Sequence, residues 1–247
     1  MVSLYTPSEE VIAIPGLQFY RPLGIGHYLT FASGSQNLLG SGASLDDLQA
    51  NAFTAEAWGR PTSYGTGGTA TGHLMSKRAT GSAGGWNFYI NAGSGFRADL
   101  ICATTNAASL ADTTQVQADS NWHHYAMTWD NAGTRKIRLF YDGVEVTYSL
   151  QTAGVGTVTT DASNSLRMGS YDGTQLYWVG DLAWARVSNV VRYTGTFTPP
   201  GRCYPPANDA NTKLLLKLLE GTGNPADSSG NGNNGTLTSV TWKTCVG

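Results

Sequence analysis

The chain has 247 residues, and 15 Lys and Arg against 17 Asp and Glu leave a net charge of −2. Only 13% of residues are charged, about half the share in an average soluble domain, so the clustered cations that nucleic acid or an anionic membrane surface demands are missing. A hydrophobic share of 40% that includes 7 Trp and 12 Tyr excludes disorder, and no apolar run approaches the roughly 18 residues of a membrane-spanning helix.

With 31 Gly and 29 Thr the chain is turn-rich and strand-prone, and its length suits one all-β domain of the about 200–250 residues common in sandwiches and barrels. Residues 1–26 carry Pro7, Pro15 and Pro22 with Gly16, Gly24 and Gly26, and read as an extended arm. The first residues have no basic stretch, and Ser8, Glu9, Glu10 and Pro15 break their apolar run, so no export signal is expected. From residue 27 onward short strand signals recur at Phe53–Trp58, His73–Arg78, Trp86–Asn91, Phe96–Cys102, Trp122–Trp129, Ile137–Tyr141, Val144–Tyr148, Leu166–Gly169 and Asp181–Val187. Asp142-Gly143 sits between two alternating runs and predicts a β-hairpin over Ile137–Tyr148, because Asp-Gly supplies the two positive-φ positions of a type I′ turn. Lys213–Glu220, KLLLKLLE, fits either a helix or a buried strand. The proline-rich stretch Thr196–Asn211 is expected to wrap along the surface. Cys102, Cys203 and Cys245 show no metal-ligand spacing. Three separate thiols are expected, with a Cys203–Cys245 bridge as the alternative.

Several phrases occur together. FTAEAW (Phe53–Trp58) is followed by WHHYAMTWDNAGTRKIRLFYDGVEV (Trp122–Val146), LRMGSYDGTQLYWVGDLAWARVSNVVR (Leu166–Arg192) and LLEGTGNPADSSGNGNNGTL (Leu218–Leu237). This combination resembles the laminin G-like, concanavalin A-like lectin/glucanase domains over roughly residues 27–240. The resemblance implies an all-β, two-sheet antiparallel β-sandwich (a jelly roll) over 27–247, preceded by the extended N-terminal arm 1–26 and closed by the C-terminal segment 212–242.

That family includes retaining glycosidases, which need two carboxylates about 5–5.5 Å apart, in this fold usually from one ExDxE-like strand. The five glutamates are Glu9, Glu10, Glu56, Glu145 and Glu220; none lies in such a run, and catalysis is not expected. His123 and His124 are adjacent on a strand and point to opposite faces, so they cannot share a metal or a nucleophile. The glycine-rich Gly65–Gly72 lacks the strand–helix setting of a phosphate loop. The resemblance makes a structural Ca²⁺ the expected ion, with Asp181 and Asp227 as its carboxylate ligands; the alternative for Asp227 is an Asx-type turn. Aromatics in loop-like contexts are the candidate sugar-stacking groups: Tyr64, Trp86, Tyr171, Tyr177 and Trp178, with Asp172 fixing hydroxyls.

A fold used mostly outside cells, on a chain with no export signal, is read as a structural or adhesive protein of a bacteriophage-like virion, made in host cytoplasm. It would join other virion subunits through the arm, self-associate as a homo-oligomer and contact host glycans. The alternative is a secreted or cell-surface lectin module, and a glycoside hydrolase comes third.

Overall fold

The computed structural model describes residues 26–245, apart from 33, 35, 36, 41, 67–70, 82, 83, 94, 113, 114 and 117. The arm expected over 1–26 falls, but for Gly26, outside the described residues. Strands follow one another as β1 (Gly26–Phe31), β2 (Asn37–Gly40), β3 (Ala52–Thr66), β4 (Thr71–Ser76), β5 (Trp86–Asn91), β6 (Gly95–Leu100), β7 (Ala107–Ala111), β8 (His123–Asp130), β9 (Arg138–Tyr141), β10 (Val144–Glu145), β11 (Tyr148–Thr152), β12 (Leu166–Met168), β13 (Tyr177–Ser188), β14 (Thr212–Leu216), β15 (Gly235–Thr238) and β16 (Thr241–Cys245).

These strands form a curled jelly roll with two faces. On one side, here sheet A, the order is β10-β9-β8-β3-β13, and the far edge of β13 is shared by β14 and by β1, which carries β16. On the other, sheet B, the order is β15-β2-β12-β4-β5-β6-β7-β11. A parallel pair, Tyr177 with His73, joins the two at a corner. Every other pairing among the described residues is antiparallel, which permits one face of each sheet to meet the core and the other to face outward.

Alternation places the core. Phe53, Ala55 and Ala57 of β3 and Tyr125, Met127 and Trp129 of β8 point inward from sheet A; Trp86, Phe88 and Ile90 of β5 and Phe96, Ala98 and Leu100 of β6 meet them from sheet B. The rings interlock across the sandwich, Phe53 with Trp86 at 4.9 Å and Phe96 edge-on to Tyr125 at 5.3 Å. The Trp129 indole N–H donates to the Gln49 carbonyl at 2.9 Å, so this large ring is buried without an orphaned donor.

The Asp-Gly hairpin forms, with φ of 50° at Asp142 and 80° at Gly143. It is shorter than the expected Ile137–Tyr148: β9 and β10 pair through Val144–Tyr141 and Glu145–Phe140, Val146 N still donates to the Leu139 carbonyl at 3.0 Å, and Tyr148 crosses to sheet B, where it pairs with Ala111. Lys213–Glu220 is a strand at its start, β14, with Leu214, Leu215 and Leu216 all buried. Burial on both faces explains the ambiguous run of leucines. β3 ends at Thr66 and β4 opens at Thr71, so Gly65 and Gly72 lie just inside two successive strands.

The proline-rich stretch lies against the outer face of sheet A as part of a strap, residues 189–205. Its carbonyls at Val190, Pro200 and Gly201 accept from Thr54 Oγ1 (2.7 Å), Trp58 Nε1 (2.7 Å) and Trp184 Nε1 (3.2 Å). Cys203 is bonded to Cys245, which corrects the expectation of three separate thiols; Cys102 alone is free, and it is buried. The bridge ties the strap to β16, a pairing across 42 residues that no local spacing announces.

Candidate functional site

The outer faces of the two sheets are built differently. On sheet A, Glu56 of β3, His124 of β8 and Arg186 of β13 come side by side beneath the strap. The Glu56 carboxylate accepts from His124 Nε2 at 3.0 Å, Arg186 Nε at 2.6 Å and the Tyr193 hydroxyl at 2.8 Å. Tyr193 stacks on Phe197 at 3.5 Å and seals the group from above. Burial alone would raise the Glu56 carboxyl, but the hydrogen bonds and charges of His124 and Arg186 outweigh it and hold the group below its ordinary value. Here is an ionised and inaccessible network, in which His124 Nδ1 is left without a partner.

Among the described residues, sheet B has no strap over β4–β6. A cleft of about 320 Å³ opens there, lined by Thr71, His73, Arg78, Asn87, Tyr89, Asn91, Asp99, Tyr171 and Leu176. Alternation accounts for it: Asn87, Tyr89 and Asn91 occupy the β5 positions between the core residues Trp86, Phe88 and Ile90, and Arg97 and Asp99 do the same on β6. The floor is organised by side-chain bonds. Arg97 grips Asp99 through Nε and Nη2, the latter at 2.8 Å; Tyr89 donates its hydroxyl to Asp99 at 2.9 Å, and Asn91 donates to Thr71 Oγ1 at 2.6 Å. His73 stacks on Tyr89 at 4.5 Å and lies 5.1 Å from Tyr171.

Three polar atoms at this cleft have no partner in the chain: His73 Nδ1, Asn87 Oδ1 and Arg78 Nε. His73 and Asn87 are each only 2% exposed, so these atoms are closed to bulk water as well. A buried polar group without a hydrogen bond costs roughly 1–3 kcal/mol. Burial pushes the His73 pKa down to about 3, against a hydrogen bond with the Leu176 backbone that favours the charged ring, and the Arg78 charge adds to the depression. The imidazole is thus neutral at any physiological pH, with Nδ1 able to share a hydrogen bond with a hydroxyl. Burial and the Asp99 charge raise Tyr89 well above its usual range, so it stays a neutral phenol.

The cleft's remaining wall is the 169–176 loop, which brings Tyr171 over Arg78 (5.8 Å from the guanidinium carbon to the ring centre). Asp172 fixes this loop. Its carboxylate accepts from Thr80 Oγ1, the Thr174 backbone and hydroxyl, and Gln175 Nε2. Those bonds outweigh partial burial and hold it well below its normal value.

Among the residues singled out from the sequence, Tyr171 lines the cleft and Asp172 supports it from behind. Trp86 and Trp178 do not: they are 0% and 1% exposed and belong to the core, which corrects their reading as loop-borne stacking groups. Tyr177 is buried and donates to the Gly173 carbonyl at 3.2 Å, and Tyr64 packs half-buried against the core. Missed by the sequence reading were His73, Arg78, Asn87, Tyr89, Asn91 and Asp99. The signal was present in WNFYIN, where choosing Trp86 rather than its neighbour took the wrong strand parity.

The carboxylates expected to hold Ca²⁺ are not brought together, and neither donor set fits the ion. Asp181 accepts from Thr30 Oγ1 and sits against the Arg60 guanidinium. Asp227 accepts from Leu215 N, Ser229 N, Ser229 Oγ and Asn233 N, the Asx-type alternative, which leaves its oxygens committed to protein donors. Among the described residues no three His, Cys, Asp or Glu converge as metal ligands. His123 and His124 do point to opposite faces: His124 is sealed with Glu56, and His123 bridges Asp119 (3.1 Å) and Asp142 (2.6 Å) at the surface.

Residues 28–194 match the Concanavalin A-like lectin/glucanases superfamily. No curated protein matches the chain in sequence. In fold it is similar to the heptameric SAP-like pentraxin of Limulus polyphemus, at a TM-score of 0.53 and 10% identity, covering 92% of this chain and 97% of that one. It is also similar to the CBM40 of the Ruminococcus gnavus IT-sialidase, at 0.50 and 11%, covering 68% and 92% respectively. Domains LG4-5 of the mouse laminin α1 chain align at 0.47 and 14%, over 87% of this chain and 56% of that one.

Proposed function

We propose that this chain, which belongs to the Concanavalin A-like lectin/glucanases superfamily, is a non-catalytic glycan-binding module whose ligand lies on the outer face of sheet B. One observation carries this reading: the buried, unpartnered His73 Nδ1, Asn87 Oδ1 and Arg78 Nε all border a single open cleft walled by Tyr89 and Tyr171. A ligand that is rich in hydroxyls and has an apolar ring face satisfies such a set, because hydroxyls fill the orphaned sites while the aromatic walls take the ring. Tyr171 packs against both His73 and Arg78, so in this reading the ligand displaces its ring to reach them.

Catalysis finds no support in this cleft. Asp99 is the one carboxylate that lines it, and Arg97 and Tyr89 already hold it; a retaining glycosidase needs a second carboxylate about 5–5.5 Å away. Glu56 is sealed under the strap. The Cys203–Cys245 bridge favours work outside the cytoplasm, where disulfides persist, and so favours the secreted or cell-surface setting. Attachment to a virion through residues 1–26 has only the arm's proline and glycine punctuation behind it. Deleting that arm and measuring incorporation into particles tests it separately.

A glycan array followed by titration calorimetry tests the main reading. Saturable binding that falls at least tenfold in Asn87→Ala supports it; an array without binders, or affinity indifferent to that change, overturns it.

A further inference from the structure

We propose that the cleft takes acidic glycans, and that the Arg78 guanidinium holds their carboxylate or sulfate through Nε. This rests on the glycan-binding reading above and adds the charge of the ligand. The chain's own arginines supply the pattern. Arg60, Arg97, Arg138 and Arg186 each give Nε to a carboxylate of the protein, Asp181, Asp99, Glu145 and Glu56 respectively, at 2.6–3.1 Å. Arg78, in contrast, has Nε buried with no partner, as Arg135 has elsewhere in the fold, and of the two it is Arg78 that stands at the cleft, 5.8 Å from the Tyr171 ring. A guanidinium whose Nε has no partner in the chain matches a planar carboxylate or two sulfate oxygens once the Tyr171 ring is displaced.

The other charges nearby do not fill this role. Asp99 is taken by Arg97 and Tyr89. Asp172 is absent from the cleft lining, and its oxygens accept from Thr80, Thr174 and Gln175. His73 beside Arg78 is neutral and can add a hydroxyl contact without repelling the guanidinium. The arrangement therefore offers one uncommitted cation, an aromatic wall and neutral hydroxyl partners within one cleft.

The test is an array of matched triplets, each terminal hexose presented as the neutral sugar, the uronate and the sulfate ester, read with wild type, Arg78→Gln and Arg78→Lys. Acidic members are expected to bind about tenfold or more tightly than their neutral counterparts, the scale of one charge-assisted hydrogen bond. That preference should vanish in Arg78→Gln, survive in part in Arg78→Lys and shrink as salt is raised. The uronate and sulfate arms separate the two anions. Thermal melting of each variant shows that it is folded. Equal binding of neutral and acidic members, or an acid preference untouched by Arg78→Gln, overturns the acidic-ligand inference and leaves the glycan-binding reading standing. Failure of every triplet member to bind overturns both.

Discussion

The two outer faces of this sandwich carry similar inventories, each with a histidine, an arginine, a carboxylate and at least one tyrosine, yet they do opposite things with them. Beneath the strap, Glu56 takes three donors and Tyr193 and Phe197 close over it. In the cleft, His73 Nδ1, Asn87 Oδ1 and Arg78 Nε are left over although the residues around them are well bonded. A polar cluster is therefore no evidence of function in itself. What separates the two faces is where the unsatisfied atoms lie: beneath the strap His124 Nδ1 lacks a partner but is sealed from any ligand, whereas the three orphaned atoms on sheet B gather at one cleft, where a ligand can offset their cost.

That contrast can be broken most sharply at Glu56. Glu56→Ala leaves the buried Arg186 guanidinium without its counter-charge and His124 Nε2 without its acceptor, and should cost about 3–5 kcal/mol, read as a lower midpoint in urea unfolding. The same group sets an acid limit. Because its folded pKa lies below the ordinary 4.5, its contribution is complete above pH 4.5 and is lost as pH falls through the folded value. Stability of the wild type should therefore drop on acidification below that point, and Glu56→Gln should flatten the fall. Removing the strap's tether comes next: Cys203→Ser with Cys245→Ser opens a link across 42 residues and should cost about 2–4 kcal/mol.

On the other face the effects should move to binding. Tyr171→Ala is expected to weaken glycan affinity about tenfold, ~1.4 kcal/mol, while the melting midpoint barely changes. Asn87→Ala gives the smallest stability effect and the clearest contrast with Glu56. Because Oδ1 has no partner to lose, unfolding free energy should stay within about 0.5 kcal/mol of wild type or rise, although calorimetry shows affinity lost.

Most of the architecture could be read from the chain, because strand alternation, the Asp142-Gly143 turn and the Asp227–Gly235 turns are local chemistry. The site was half legible. Tyr171 and Asp172 stood out because an aromatic beside turn residues reads as loop-borne. Asn87 and Tyr89 did not, since they share a strand with Trp86 and Phe88, and only the sheet's packing decides which parity faces the core. Trp178 misled for the same reason, being a core ring at the start of a strand that follows a polar loop. The Cys203–Cys245 bond and the strap over Glu56 depend on contacts between segments far apart in sequence, for which a single sequence holds no local sign.

The most direct test of the central claim is a nitrogen-15 NMR titration with a glycan that binds on the array. The account predicts shifts concentrated at Arg78, Asn87, Tyr89, Asn91 and Tyr171, with the Glu56–His124–Arg186 face unmoved. Saturable shifts elsewhere on the molecule, with those cleft residues unchanged, would contradict it.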